Sequence, residues 1–529
     1  MAVLLSPITF LIFCLVIYTA AKQLNQRPNI VFILTDDQDV ELGSMKPMVK
    51  AKKLIGDAGV IFKNMFVTSP LCCPSRSSIL TGSYVHNHGA VNNSISGNCS
   101  SAAWQASSEM RTFATYLKKQ HYRTFFAGKY LNQYGKKEAG GVGHVPPGWN
   151  TWMGLVGNSV YYNYTLSVDG KSEIHGDNYN VDYLTDVIAR RAEAFLKHQH
   201  PHKPFFMMLS TPACHAPFTP APQYSKSFSN VSAPRTGSFN YFGKDKHWLV
   251  RQAKHPLGDT SLKYIDSTHR NRWRTLLSVD DLVELVMTRL DKHSLLSNTY
   301  VVFTSDNGFH LGQMSLPNDK RQLYEFDVRV PLMVTGPRVT PGQVREEIIL
   351  NIDLAPTFLE MAGLSVGAMT TSMDGRSFLS LLGNSTWVDR EWREDFLVEH
   401  KGEYKDINAG CPQLDHQQVA NCFPDCVCED SFNNTYTCVR TLSKTCNLMY
   451  CEFADHEGFV EVYDLNKDPH QLKNIAKTIS PQILVAMNKR LVKLSVCSGD
   501  TCRATAEPWQ HWVTFGVRTE RLYGRTGML

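Results

Sequence analysis

Asp36-Asp37 and Asp306-Asn307 place four oxygen-donor side chains in two tight pairs, each directly after an apolar run. Oxygen donors with no Cys or His pair among them suit a hard divalent cation, Ca²⁺ rather than Zn²⁺, with Mg²⁺ left open. Three carboxylates drawn together without a cation would repel one another and raise their pKa values. The chain also supplies three cations, Arg76, Lys129 and Lys320, and a histidine, His215. An imidazole of ordinary pKa, about 6.5, moves protons at acidic to neutral pH. A hard cation, fixed positive charge and a proton shuttle together suit the cleavage of an anionic ester. Arg76 itself stands in a distinctive stretch, Leu71-Cys72-Cys73-Pro74-Ser75-Arg76, with Leu80-Thr81-Gly82 following. The plainer reading of that stretch is a Pro-Ser turn leading into a helix with two small buried cysteines.

The elements that must position these residues are legible as short apolar runs. Ile30–Leu34, Thr124–Ala127, Phe205–Leu209, Tyr300–Thr304 and Val330–Val334 read as buried parallel strands. Amphipathic helices lie between them: Val181–His198, and Val279–His293 with Ser278 as N-cap and Asp280 and Asp281 in the first turn. The alternation implies an α/β fold with a mostly parallel sheet. Asp36-Asp37, Lys129, His215 and Asp306-Asn307 each follow one of four strands, and sites of open α/β sheets form beyond the carboxyl ends of strands. A polar strand end is ordinary; four coinciding are not. Residues 215–275 read as one long irregular stretch forming part of a pocket wall. Beyond about residue 390 cysteines cluster, and helical periodicity returns only at Pro481–Leu494, which predicts a smaller α+β domain. The expected division is 1–21 signal peptide, 22–390 catalytic domain and 391–529 disulfide-rich domain.

At 529 residues the chain exceeds one ordinary core. Net charge is +5, and no Lys/Arg run is long enough to suggest nucleic acid as a partner. Residues 2–21 are almost wholly apolar or small and read as a signal peptide cleaved near Ala20 or Ala21, a signal anchor being the alternative. No later stretch is long and apolar enough to span a membrane, so a soluble mature protein is expected. Asn92, Asn98, Asn163, Asn230, Asn384 and Asn433 head N-glycosylation sequons, which fits the secretory pathway. Of the fourteen cysteines, seven fall between Cys411 and Cys451, and Cys497 and Cys502 are close in sequence. In an oxidising compartment these form disulfides, in preference to a metal site at Cys422, Cys426 and Cys428; Cys73 is expected to stay a free thiol.

Taken together, Cys72-x-Pro74-Ser75-Arg76 with Leu80-Thr81-Gly82, the Ile-Val-Phe-Ile-Leu-Thr-Asp-Asp opening, Gly128-Lys129, Thr304-Ser305-Asp306-Asn307-Gly308 and Val462-Tyr463-Asp464-Leu465 resemble the landmarks of the type I sulfatase family, in the expected order. The resemblance implies an alkaline-phosphatase-like sulfatase fold. It implies that Cys72 is oxidised to formylglycine by the formylglycine-generating enzyme during secretion, and that Asp36, Asp37, Asp306, Asn307 and the modified Cys72 bind Ca²⁺. Arg76 and Lys129 would hold the formylglycine hydrate and the sulfate. His215 and Lys320 would contact the sulfate and the leaving oxygen. One hydroxyl of the hydrate attacks sulfur as the alcohol leaves; the other, deprotonated, expels sulfate. Many arylsulfatases read Gly-Lys-x-His after this second strand, and that His assists the expulsion. Here Leu131 stands in its place, followed by Asn132, which leaves the base for that step unassigned.

Gly-Lys-Tyr-Leu-Asn, Cys-Cys-Pro-Ser-Arg-Ser-Ser and Tyr84-Val85-His86-Asn87-His88 resemble the glucosamine-6-sulfatase group, and segments such as Arg321–Asp327 resemble its lysosomal branch. What this implies is removal of the 6-O-sulfate from N-acetylglucosamine 6-sulfate in heparan and keratan sulfate, in the lysosome. Alternatives are an extracellular heparan 6-O-endosulfatase, although the long basic insertion of that group is missing, and a formylglycine phosphodiester or phosphonate hydrolase. A glycan-binding pseudoenzyme would have lost Cys72 or a metal carboxylate. Exo or endo action and oligomeric state, a homodimer among the options, stay open.

Overall fold

A computed structural model describes residues 27–200, 203–364, 372–383, 392–403, 425 and 427–504. The leader, Asn384, Cys411, Cys422, Cys426 and the expected boundary near residue 390 lie outside the described residues.

Ten strands form one large sheet, in the order β10-β2-β9-β8-β1-β7-β3-β4-β5-β6. They are β1 Asn29–Thr35, β2 Val60–Phe66, β3 Arg123–Lys129, β4 Thr151–Leu155, β5 Thr165–Val168, β6 Lys171–Ile174, β7 Phe205–Ser210, β8 Thr299–Ser305, β9 Arg329–Thr335 and β10 Gln343–Leu350. The central strands β8, β1, β7, β3 and β4 are parallel, as their fully apolar runs predict. β9 departs from expectation: it pairs antiparallel with both β2 and β8. Burial on both faces gives Val330–Val334 its apolar run, and that burial carries no information about direction.

Side chains alternate across β1. Ile30, Phe32 and Leu34 join a core shared with the helices α1 Cys72–Thr81, α2 Phe113–Lys119 and α5 Leu354–Met361. Val31 and Ile33 enter the core on the opposite face, built with α3 Leu184–Lys197 and α4 Asp259–Lys292. Helices therefore cover both faces of the sheet.

α4 overturns two expectations. It begins at Asp259, so Ser278 is an interior residue and the irregular stretch ends at 258. Its first half is polar in sequence, yet Ile265 packs with Phe218, Leu257 and Phe309 in a small separate core. Asp280 caps another segment instead of its own helix, accepting the backbone N–H groups of Lys50 at 2.9 Å and Ala51 at 2.7 Å.

A second, antiparallel sheet follows, with β11 Asp395–His400, β12 Tyr436–Leu442, β13 Asn447–Phe453 and β14 Val460–Asp464, accompanied by α6 Pro481–Ser495. Cys438–Cys451 staples β12 to β13 at directly paired positions, and Cys497–Cys502 closes the turn after α6. Cys428 is also disulfide-bonded, which argues against a metal site there. Cys73 is not a free thiol: it bonds Cys99, tying α1 to the loop that follows it. Spacing could not reveal this pair, because its partner lies 26 residues away. Among the described residues no helix is long and apolar enough to cross a membrane.

Candidate active site

Four adjacent strands deliver polar groups to one edge of the large sheet. β1 leads to Asp36 and Asp37, β3 ends in Lys129, β7 runs out through Ser210 towards His215, and β8 gives way to Asp306 and Asn307. Gly128 has φ +114°, and a Cβ there would stand 1.8 Å from the Ser210 carbonyl oxygen. Only glycine allows that approach, which brings Lys129 into the site. α1 points its amino terminus at the same place. Cys72 is its first residue, Pro74 falls in the first turn where a missing N–H costs nothing, and Arg76 lies one turn on, on the same face.

The expected residues meet. Cys72 Sγ lies 3.8 Å from Asp36 Oδ1 and 3.9 Å from Asp37 Oδ1. Lys129 Nζ donates to Asp36 Oδ2 at 2.7 Å, and Lys320 Nζ to Asp37 Oδ2 at 2.8 Å. Arg76 Nε donates to Asp306 Oδ2 at 2.7 Å, and its Nη1 reaches the Lys129 carbonyl at 2.9 Å and Ser210 Oγ at 2.8 Å. Asn307 Nδ2 donates to Asp37 Oδ1 at 2.7 Å. His215 Nε2 is 3.9 Å from Asp37 Oδ2, while its Nδ1–H donates to the Ala216 carbonyl at 2.7 Å. That bond fixes the tautomer and turns Nε2 towards the site. Asp37 holds φ +59°, in the left-handed region that Asp tolerates better than most side chains.

All of these groups are buried apart from the edge of His215. Burial pushes the Asp36 and Asp37 carboxyls up, but the cations around them win, and both are held below the usual range, Asp36 well below. Asp306 goes the other way: burial, with Asp36 adding to it against Arg76, pushes it up to about 7. Burial pushes the Cys72 thiol up to about 12 despite Lys129 and Lys320. Burial also lowers His215 to about 4, against the pull of Asp36. Lys320 is raised, the charge of Asp37 outweighing its burial.

These residues fit a hard cation. Asp36, Asp37 and Asp306 crowd three carboxylates into one buried site, and Asn307 Oδ1 is buried with no hydrogen-bond partner. An orphaned acceptor beside crowded carboxylates is the donor set a Ca²⁺ ion completes. Asp36, Asp37, Cys72 and His215 also bring ligand atoms within 4.8 Å of one another.

A cavity of about 780 Å³ opens onto this centre, a volume suited to a small sugar ligand. Asp37, His215 and Lys320 line it, with Asn132, Asp319 and Arg321 further out. Asn132 Oδ1 is buried and unpartnered, whereas Leu131 belongs to the aromatic core with Tyr130, Tyr134 and Trp152. The loop bearing Lys320 is held from the smaller sheet. Asn434 Nδ2 and Tyr436 OH both donate to the Arg321 carbonyl, at 3.2 and 2.9 Å. Gln322 Nε2 donates to Glu429 Oε2 at 2.6 Å, and Tyr324 OH to Glu461 Oε2 at 3.0 Å.

Several supporting residues escape sequence reasoning. Arg272 of α4 donates through Nη2 to the Asp37 carbonyl at 2.7 Å and to Asp39 Oδ2 at 2.5 Å. Ser159 donates to Asp36 Oδ2. Neither carries a local signal beyond a buried charge in a polar helix and a serine in a loop. Of the sequons, Asn163 and Asn230 are exposed, and Asn163 borders the cavity. Asn98 and Asn433 are partly exposed. Asn92 is the exception: it is 5% exposed, its amide oxygen accepts from Ser94, and it lies against Gly97.

The Sulfatase family model matches residues 28–364, and the chain belongs to the sulfatase family. It is 55% identical over 492 residues to the N-acetylglucosamine-6-sulfatase of Capra hircus, covering 93% of this chain and 87% of that protein. To the Homo sapiens enzyme of the same name it is 54% identical, covering 93% and 88%. It is 45% identical to an extracellular sulfatase SULF-1 homolog of Drosophila melanogaster, over 71% of this chain but 33% of that one. In fold it resembles a protein solved with its substrate D-glucosamine-2-N,6-O-disulfate, with TM-score 0.70, 23% identity and coverage of 88% and 97%.

Proposed function

We propose that the chain hydrolyses the 6-O-sulfate ester of terminal N-acetyl-D-glucosamine 6-sulfate in heparan sulfate and keratan sulfate, as a lysosomal step of glycosaminoglycan degradation. The observation that carries this reading is the 54–55% identity to N-acetylglucosamine-6-sulfatases over 93% of the chain.

The Cys72 side chain marks the place of the nucleophile. An unmodified thiol at position 72 could take up the sulfo group but has no second hydroxyl with which to expel sulfate. Oxidised to formylglycine and hydrated, the same position supplies one hydroxyl to attack sulfur and a second to expel sulfate. Asp36, Asp37, Asp306 and Asn307 would hold Ca²⁺, which supplies positive charge next to the sulfate oxygens. The chain's own cations do the rest of the charge stabilisation. Lys129 and Lys320 are fixed by Asp36 and Asp37, so their ammonium groups need no reorganisation as charge develops. Arg76, held by Asp306, braces the Lys129 carbonyl and Ser210. His215 keeps its Nδ1 proton on the Ala216 carbonyl, which leaves Nε2 as the atom that exchanges a proton with the reacting oxygens. Lys320, on the cavity wall with His215 and held by Asp37, is placed to protonate the leaving alcohol. Asn132 orients groups at the nucleophile but takes no proton.

The test is sulfate release from N-acetylglucosamine 6-sulfate at acidic pH, alongside heparan oligosaccharides with internal glucosamine 6-sulfates and a phosphate diester. Turnover of the monosaccharide is expected. Turnover confined to internal units would replace the reading with an endosulfatase, and preference for the diester with a phosphodiesterase.

A further inference from the structure

The edge of the large sheet opposite the site carries a different chemistry. Six cations gather at the amino ends of β1, β3 and β7: Arg27, Lys118, Lys119, Arg123, Lys197 and Lys203, all exposed. They come from three separate parts of the chain, so no basic run appears in the sequence; the fold assembles the cluster. Hydrogen bonds establish the adjacency. Arg27 Nη1 donates to the Gln120 carbonyl at 2.7 Å, Arg123 Nη1 to the His198 carbonyl at 3.3 Å, and the Arg123 backbone N–H to the Pro204 carbonyl at 3.0 Å. The imidazoles of His121, His198 and His200 are exposed among them.

Two observations set this face apart from an ordinary solvated surface. Among the described residues none of the six forms an ion pair with a carboxylate, although thirty ion pairs occur elsewhere in the described structure. Four of them are instead placed against carbonyl oxygens or aromatic faces: Lys118 Nζ donates to the Trp149 carbonyl at 3.0 Å, and Arg27 lies over Tyr122, Lys119 over Tyr116 and Arg123 over Phe195. Helix dipoles account for Lys118, Lys119 and Lys197, which end α2 and α3. They do not account for Arg27, Arg123 or Lys203. In a chain of net charge only +5, these six cations are gathered on one face.

We infer that this face is a second, non-catalytic binding surface for a sulfated glycosaminoglycan chain. Exposed guanidinium and ammonium groups with no carboxylate partner suit a flexible polyanion presenting sulfates at intervals, held largely by charge. β3 itself spans the separation: Arg123 is on the basic face and Lys129 in the site, six residues or about 20 Å apart. A chain held here therefore does not occupy the cavity; it raises the local supply of chain ends around the enzyme. The identity of the polyanion rests on the substrate class proposed above, but the surface and its charge do not.

The triple variant Lys119→Gln/Lys197→Gln/Lys203→Gln removes three of the charges without touching a side-chain hydrogen bond. Binding of a heparin-derived dodecasaccharide is measured in the Cys72→Ala background, where nothing is turned over. At about 0.1 M salt the triple variant is expected to bind at least tenfold more weakly, with a shallower dependence on salt. A control triple, Lys467→Gln/Lys473→Gln/Lys477→Gln, is expected to bind unchanged. In the Cys72 enzyme, kcat/KM for N-acetylglucosamine 6-sulfate is expected to be the same with and without the triple change. Equal dodecasaccharide affinity in both triples overturns the inference. So does tighter binding to vesicles of anionic phospholipid than to the dodecasaccharide, which would make this a membrane-facing surface. Absence of sulfate release by every variant would overturn the catalytic reading alone.

Discussion

Arg272 Nη2 donates to the carbonyl oxygen of Asp37 at 2.7 Å, from a helix more than 230 residues further along the chain. The same guanidinium grips Asp39. It thereby holds the chain on the carboxyl side of the left-handed residue Asp37, whose carboxylate meets Lys320, Asn307 and His215. Replacing Arg272 by Met removes the charged partner of the buried Asp39 carboxylate and the guanidinium donor to the Asp37 carbonyl. A loss of about 3–5 kcal/mol is expected, read as a lower midpoint in thermal or urea unfolding, together with weaker retention of divalent cation. Arg272→Lys should recover only part of either, because one ammonium cannot serve both acceptors in the same planar geometry.

Cys72→Ala is expected to abolish sulfate release while leaving the unfolding midpoint close to that of the parent. The side chain makes only two long contacts, to Asp36 and Asp37, and it lies at the start of a helix whose other contacts are unaffected. Mass spectrometry of the secreted parent should find formylglycine at position 72. A fully active enzyme with an unmodified thiol there would end the proposed mechanism.

Chelation should both inactivate and destabilise. Asp36, Asp37, Asp306 and the orphaned Asn307 Oδ1 lose their shared counter-charge when the cation leaves. Adding back Ca²⁺ at a hundredfold excess over its Kd is expected to restore about 2.7 kcal/mol of stability, seen as a rise in Tm. Restoration by Mg²⁺ and not by Ca²⁺ would reassign the ion.

The absent histidine at position 131 makes a sharp prediction. Leu131 is fully buried in the aromatic core, whereas Asn132 meets the cavity. Leu131→His should therefore not install a new base. It should cost stability, on the order of 2–5 kcal/mol, with no gain in kcat. A rise in kcat would show that position 131 reaches the reacting oxygens.

His310 gives a pH dependence away from the cation site. Its imidazole is buried between Asp327, at 3.0 Å, and Glu429, at 3.1 Å. Burial opposes protonation, but the two carboxylates win and hold its pKa well above the ordinary value. A raised pKa in the folded chain means stability that is fully present below about 6.5 and is lost as pH rises through the folded value. The stability difference between the parent and His310→Gln should thus be largest at acidic pH and shrink towards alkaline pH. A difference that grows with pH would mean that the imidazole is neutral in the folded chain.

How much of this could be read from sequence follows from range. The residues at the strand ends were legible because an apolar run and the polar group after it are neighbours: Asp36, Lys129, His215 and Asp306 all met where the strand pattern put them. Arg272 and Ser159 were not, because what makes them important lies across the fold. The same holds for Cys73, whose partner Cys99 no spacing rule selects, and for Asn92, whose sequon says nothing about burial. The direction of β9 and the true start of α4 were hidden for another reason. A strand buried on both faces looks the same in either direction, and the polar half of α4 packs through a few residues set among charged ones.

The bonds from Asn434, Tyr436, Glu429 and Glu461 to the Lys320 loop also set an order of events during synthesis. The large sheet is complete once β10 has left the ribosome, but the backbone that presents Lys320 lacks its hydrogen bonds to the smaller domain until some hundred further residues have emerged and β12 to β14 have paired. A chain that stops short of that point would have its central sheet and no working site. Nonsense changes late in the reading frame should therefore be as inactivating as those early in it.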